Sequence, residues 1–439
     1  MLHSAQRLKS RAAPPKPLHI AVFVANLAGG GLERTMMTIA DGLARRGHRV
    51  DLLVCRMRGF LADRVPATVR VSELRPAPLW RARWQAIRAD IGGIRQLLRP
   101  FLLTAKPPPS LAQLPALATH LMRDQPDVLL SAMPQENLVA IQARALAGLP
   151  IRVILTEHNT LSQTIAVARR PNYRHVAPLM ARQYPRADAI VAVSAGVADD
   201  LARQIGLSRE RISVIYNPVV PADVLARASA PVAHRWLQVG EAPVVLGVGS
   251  LVPQKDFPTL IRAFARLRRL RPARLIILGA AKDVRATAKQ RGELQQLASE
   301  LGVAEDVDLP GYMADPYPWM ARASVFVLSS AYEGLGNVLV EAMACGCPVA
   351  STDCPSGPAE ILAGGRYGRL VPVGDERALA EAIARTLDDP PAPETLRQRA
   401  SVFSVERAID QYERLVVSRP AGAADVPDAP SMASAARRF

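Results

Sequence analysis

The stretch SSAYEGLGNVLVEAMACGCPVAS, residues 329–351, holds the residue types and spacing best suited to chemistry. Glu333 follows an apolar run, Gly334, Leu335, Gly336 and Asn337 make a turn behind it, and Glu341 comes eight residues on, inside a helical pattern. Glycines let a backbone approach a ligand closely. Unpaired amides at a helix start, with the positive end of its dipole, favour phosphate. A carboxylate a turn or two into that helix can accept hydrogen bonds from paired hydroxyls such as those of ribose. Alone, the two glutamates would read as solvent-facing acids around a capped helix. The whole stretch reads better as a site for a phosphorylated sugar.

Other segments supply candidate partners. Lys255, in the QKD of GVGSLVPQKDFPTLIRAF, is a cation that could neutralise phosphate. TEHNT places Glu157, His158 and Asn159 beyond the apolar run RVIL, at a strand's carboxyl end, where a cleft residue belongs. Gly29, Gly30 and Gly31 lie between a strand pattern and a helix pattern that Glu33 opens. Asp306 and Asp308 spell the Asp-x-Asp pattern that binds manganese elsewhere. Here they stand where the strand pattern VDLPGY begins, so they are read as structural and no metal is expected. GVGSLV lacks the third glycine of a dinucleotide fingerprint and the acid after the next strand, which argues against a nicotinamide cofactor.

The elements that must position these residues alternate regularly. LHIAVFVA, HRVDLLVC, DVLLSA, RVILTE, ADAIVAVS and RISVIYN are strand-like runs separated by helical or loop segments. A proline-rich break at 218–240 precedes a second series: APVVLGVGS, ARLIILGA, VDLPGY, SVFVLSS, CPVAST and GRLVPV. Such alternation implies an α/β architecture of two tandem, doubly wound, Rossmann-like domains, with ligands in the cleft between them. The expected organisation is a basic extension at 1–17, a first domain at 18–217, a linker at 218–240, a second domain at 241–402, a closing helix at 403–417 and a disordered tail at 418–439.

Composition fits that plan. At 439 residues, with 49% apolar and 21% charged residues, the chain is globular and long enough for two domains. Its four cysteines, Cys55, Cys345, Cys347 and Cys354, form neither a disulfide framework nor a paired metal motif, as expected of a cytoplasmic protein. No apolar run is long enough to span a membrane, so membrane contact would be peripheral. The net charge of +16 is lopsided: residues 1–220 hold 30 Lys and Arg against 14 Asp and Glu, the remainder 25 against 25. A basic first half could attract nucleic acid, anionic lipid headgroups or phosphorylated substrates, or be an arginine-rich composition with no specific partner. Within it, WRARWQAIRADIGGIRQLLRPFLL at 80–103 sets Trp84, Ile87, Ile91, Ile94 and Leu98 at helical spacing among Arg88, Arg95 and Arg99, weakened at Gly92 and Gly93. It is either a helix packed on the first domain or a surface that meets the inner face of the cytoplasmic membrane.

The glutamate pair, GVGSLVPQKDFPTLIRAF, VIYNPV and DCPSGPAEIL at 353–362 together resemble the retaining glycosyltransferases of family 4, over roughly residues 18–417. That resemblance implies the GT-B fold and transfer of a sugar from a nucleotide diphosphate sugar, with UDP the expected nucleotide, to a carbohydrate acceptor. A lipid-linked or surface oligosaccharide is the expected acceptor, and neither a separate cofactor nor nucleic acid is implied. Glu333 would contact hydroxyls of the donor sugar, and Gly334, Leu335, Gly336 and Asn337 would hold the sugar and diphosphate. Glu341 would bind ribose, Lys255 would neutralise the leaving phosphate, His158 would lie near the reaction centre, and the loop of Gly30 and Gly31 would face the diphosphate. One departure stands out: the family often has an arginine where this chain has Ser250. A catalytically silent sugar-nucleotide-binding protein and a sugar-nucleotide epimerase of the same fold are the alternatives.

Overall fold

The computed structural model describes residues 16–27, 30–59, 61–104, 107–167, 175–281 and 283–418. The first sheet runs β1 (His19–Asn26), β2 (Arg49–Arg56), β3 (Arg70–Glu73), β4 (Val128–Ala132), β5 (Arg152–Glu157), β6 (Ala189–Ala192) and β7 (Ile212–Val214). The second runs β8 (Val244–Val248), β9 (Arg274–Leu278), β10 (Val307–Gly311), β11 (Val325–Leu328), β12 (Val349–Thr352) and β13 (Arg369–Val371). All the pairings are parallel, in the orders β3-β2-β1-β4-β5-β6-β7 and β10-β9-β8-β11-β12-β13. Both reverse direction beside their first strand, the doubly wound arrangement that leaves a crevice at the strands' carboxyl ends.

The central strands are buried on both faces, which is why they read as continuous apolar runs. Helices cover those faces through stripes at helical spacing. In Gly31–Arg45 the buried residues include Met36, Ile39, Ala40 and Leu43, and in Phe257–Arg268 they include Leu260, Ile261, Phe264 and Leu267. The C-terminal helix Val405–Val417 returns to the first sheet's layer, burying Ile409, Tyr412 and Val416 in one cluster with Met36, Ile39 and Leu43. The chain therefore crosses between the sheets twice, side by side. The Phe403 carbonyl accepts from the amides of Val219 (3.0 Å) and Val220 (3.1 Å), and Val405 N–H donates to Val220 O (2.9 Å).

Two local expectations change. The edge strand β3 is not evident from the sequence, being four residues with charged ends. The basic segment at 80–103 is not one helix but a chain of short ones, Leu79–Ala89, Ile91–Gly93, Ile94–Leu97 and Leu98–Leu102. Asp90, buried and held by Arg182 (2.8 Å), sits at the break before Gly92 and Gly93. The segment docks through Ala82, Ala86, Leu97 and Phe101. Trp84, Ile91 and Ile94 face outward instead.

Candidate functional site

The loops after β8 and β11, neighbouring strands, are sewn together. Ser329 Oγ donates to the Lys255 carbonyl (2.7 Å), Ala331 N–H to Gln254 O (2.8 Å) and Gln254 Nε2 to Tyr332 O (2.9 Å). Asp256, in the left-handed region at φ 43°, ends the Pro253–Lys255 turn and caps the next helix through Thr259. These contacts carry Lys255 Nζ to 2.5 Å from Glu333 Oε1, which also accepts from Ser330 Oγ (2.7 Å). Glu333 is 6% exposed, so it is not the solvent-facing loop acid that its sequence context allows. A buried carboxylate requires such partners. No protein donor engages its Oε2 among the described residues.

Behind Glu333 the chain turns tightly into the helix Asn337–Ala344. Gly336 caps that helix at φ 96°, a conformation that suits glycine. Gly334 lies so close to the first domain that a Cβ on it would sit 1.8 Å from the His158 carbonyl oxygen. Its own carbonyl accepts from Ser194 Oγ (2.6 Å), the residue that caps the helix Ala195–Ile205. Asn337 Oδ1 accepts from Asn217 Nδ2 (2.9 Å), and Gly31 packs near the Asn337 amide. Glu360 spans the domains as well, its carboxylate accepting from the amides of Ala195 (2.9 Å) and Gly196 (2.8 Å), the first turn of that same helix.

His158 is 7% exposed at the carboxyl end of β5. The Thr156 hydroxyl donates to Ser131 O (2.9 Å) and so accepts from His158 Nε2 (3.0 Å). That assignment puts the ring proton on Nε2 and leaves Nδ1, buried without a protein partner, as an acceptor. Burial lowers the imidazole to about 3, so it stays neutral. Beneath it, Glu157 accepts from Asn137 Nδ2 (2.9 Å) and from the Tyr184 hydroxyl, and burial raises its carboxyl to about 7. Glu341 is raised too, by desolvation first, with Arg34 and Arg227 opposing. Glu33, in the first turn after Gly30 and Gly31, is raised by burial.

The structure thus brings Lys255, Glu333, Gly334, His158, Gly31, Asn337 and Glu341 to one interdomain cleft. Leu335 is buried beneath the turn. Gly30 caps the helix that opens at Gly31, while Gly29 lies outside the described residues. Ser250 is exposed in the Lys255 loop and engages Val252 N–H through its carbonyl (2.8 Å). Sequence reasoning missed Ser330, Ser194, Asn217 and Glu360. All four lie in segments that the sequence singles out, but nothing local marks Ser194, Asn217 and Glu360 as having partners in another domain. Asp306 ends a short turn, not a strand, and is held by Arg268 (2.6 Å) and Arg274. Asp308 pairs with His234 (2.9 Å).

Residues 29–223 match the family model described as Glycosyltransferase Family 4, and residues 242–389 match Glycosyl transferases group 1. A lipopolysaccharide core biosynthesis glycosyltransferase of Rhizobium meliloti is 29% identical over 89% of this chain and 97% of its own length. The N-acetylgalactosamine-N,N'-diacetylbacillosaminyl-diphospho-undecaprenol 4-alpha-N-acetylgalactosaminyltransferase of Campylobacter jejuni is 31% identical over 58% of this chain, the match spanning 65% of that protein. Among solved structures, the Anabaena protein HepE in complex with UDP-glucose superposes with a TM-score of 0.71 at 21% identity, covering 92% of this chain and all of that one. The two family matches, the pair of doubly wound sheets and this likeness agree: the chain belongs to the group 1, family 4 glycosyltransferases and has their GT-B fold.

Proposed function

We propose that the protein transfers a glycosyl unit from a nucleotide diphosphate sugar, UDP-linked, to a carbohydrate acceptor during lipopolysaccharide or surface polysaccharide synthesis, with retention and without a metal. The observation that carries this is the convergence of Lys255 and Glu333 beside a helix N-terminus, with neutral His158 across the cleft. Glu333 Oε2 would accept from a donor sugar hydroxyl, and the 334–337 turn would hold the sugar and diphosphate. Lys255 would offset the charge growing on the leaving oxygen, and His158 Nδ1 would accept from a second hydroxyl. Glu341 would take the ribose. Retention is supported by the family membership, and in that reading the leaving diphosphate would receive the acceptor's proton. Metal independence is supported by Lys255 and the helix start supplying the charge neutralisation, and by Asp306 and Asp308 being committed to separate basic partners.

The acceptor is proposed to be lipid-linked and met at an anionic membrane. Trp80 (72% exposed), Trp84 (58%), Ile91 (67%) and Leu103 (74%) stand out from the 79–103 segment, with Arg81, Arg88, Arg95 and Arg99 exposed among them. Aromatic residues interleaved with arginine suit a lipid headgroup boundary. No helix among the described residues is long and apolar enough to cross a membrane. Release of nucleotide diphosphate from a panel of nucleotide sugars, assayed in excess chelator with lipid-linked oligosaccharide acceptors, tests the assignment. Absence of turnover across the panel, or turnover that returns only with manganese, would count against it.

A further inference from the structure

A cleft of about 540 Å³ lies at the carboxyl ends of β2 and β3, lined by Cys55, Arg56, Arg58, Glu73, Leu79 and Gln113 among others. Nothing in the donor chemistry above uses it. Arg56 and Arg58 are exposed, and neither has a carboxylate within ion-pair distance among the described residues. Glu73, the acid in the wall, accepts from Met57 N–H (3.0 Å). Gln113 is 3% exposed, and its Oε1 is buried without a partner while its Nε2 reaches toward Cys55 O (3.5 Å). A buried amide oxygen left unpaired costs stability unless a ligand or water completes it. Cys55 contributes no competing charge, because burial pushes its thiol far up.

The position of the cleft gives its chemistry a context. It opens on the end of the sheet that carries His158, and β2 and β5 are three strands apart in the order β2-β1-β4-β5. At about 4.8 Å per strand that is roughly 14 Å, the reach of a short oligosaccharide. Leu79, in its wall, begins the helix that presents Trp80 and Trp84.

We propose that this cleft is an acceptor subsite for a phosphate or diphosphate ester, held by Arg56 and Arg58, with the sugar end of the acceptor extending to His158 and Glu333. The proposal rests on the transferase assignment and names the class of its acceptor: a glycan carrying phosphate a short way from the hydroxyl that is extended. Two guanidinium groups supply bidentate, charge-assisted donors matched to phosphate oxygens. Gln113 Oε1 would accept from a hydroxyl beside that ester. The ester could sit on a lipid or on a soluble glycan, and the chemistry at the arginines is the same.

The test uses the full chain with UDP at saturation, so that the donor site is filled, and two probes, inorganic pyrophosphate and farnesyl diphosphate, titrated by calorimetry. Wild-type protein should bind both, and R56Q/R58Q should weaken both at least tenfold while its affinity for UDP is unchanged. Tighter binding of farnesyl diphosphate than of pyrophosphate supports a lipid-borne ester, and equal binding a soluble one. The proposal is overturned if neither probe binds the wild-type protein, or if the double variant binds them equally well. Failure of UDP to bind while pyrophosphate still needs Arg56 and Arg58 would instead count against the transferase assignment and leave the anion subsite standing.

Discussion

Lys255 Nζ lies 2.5 Å from Glu333 Oε1 although the two residues are 78 apart in the chain. Both are largely buried, so neither can lose its partner cheaply. Lys255→Ala should weaken nucleotide diphosphate binding and turnover by about 10- to 100-fold, the span of a charge-assisted phosphate contact. Glu333→Gln keeps the shape of the loop and should abolish most turnover while circular dichroism stays that of the wild type. Steady-state kinetics with calorimetry of the diphosphate check both. Unchanged diphosphate affinity in the lysine variant would show that the pair is structural.

Contact between the domains depends on a residue with no side chain. A Cβ on Gly334 would fall 1.8 Å from the His158 carbonyl oxygen, which is backbone and cannot swing away. Gly334→Ala should therefore push the Glu333 loop from the first domain and strain the Ser194 Oγ bond to the Gly334 carbonyl. A displacement of that size at a reacting centre costs about 100-fold in kcat. The melting temperature should change by only a few degrees, since the change is confined to one loop and removes no side chain from the buried apolar clusters. Wild-type kcat in Gly334→Ala would mean that the productive state does not bring these residues together.

Buried titrating groups make opposite contributions to stability. Glu157 and Glu136, both raised to about 7 by burial, hold protons that the unfolded chain has released above its carboxylate range. Their contribution is full below about pH 4.5 and is lost as pH rises through 7. His158, lowered to about 3, works the other way: the unfolded chain takes up a proton below about pH 6.5 while the folded one does not, so stability falls with acid. Glu157→Gln retains an oxygen for Asn137 and Tyr184 but cannot ionise. Relative to wild type it should gain on the order of 2 kcal/mol between pH 5 and pH 8 in urea unfolding. A difference that does not change with pH would mean that Glu157 ionises as readily as an exposed acid.

Legibility in the sequence followed the range of each interaction. The strands of both sheets show because burial on two faces leaves runs such as LHIAVFVA and SVFVLSS. β3, RVSE, does not, because an edge strand need bury little. Glu333, Lys255 and His158 were singled out because loops at strand ends carry ligand chemistry. The burial of Glu333, and the clasp of Glu360 and Ser194 across the cleft, were not, since they arise from loops meeting across strand β8 and β11 or across domains. Of the five residues that helical spacing grouped, Trp84, Ile91 and Ile94 are exposed, whereas Ile87 and Leu98 are half-buried. Periodicity alone could not say that small residues, Ala82 and Ala86, take the core side and leave the large ones outside.

That inversion sets up the membrane prediction. A helix that buries alanine and exposes tryptophan has its larger apolar area still to cover, and Arg81, Arg88, Arg95 and Arg99 give the covering partner a negative charge. Arginines near an anionic surface contribute about 1 kcal/mol each, within a Debye length of roughly 8 Å at physiological salt. Wild-type protein should sediment with vesicles containing phosphatidylglycerol, less so as salt rises, and poorly with neutral vesicles. Arg88→Gln, Arg95→Gln and Arg99→Gln combined should lower binding at low salt, whereas Trp80→Ala with Trp84→Ala should lower the part that survives high salt. Neither set touches the cleft, so transfer to a soluble acceptor analogue should be kept. If wild-type protein stays in the supernatant with anionic vesicles at low salt, the exposed tryptophans serve some contact other than lipid.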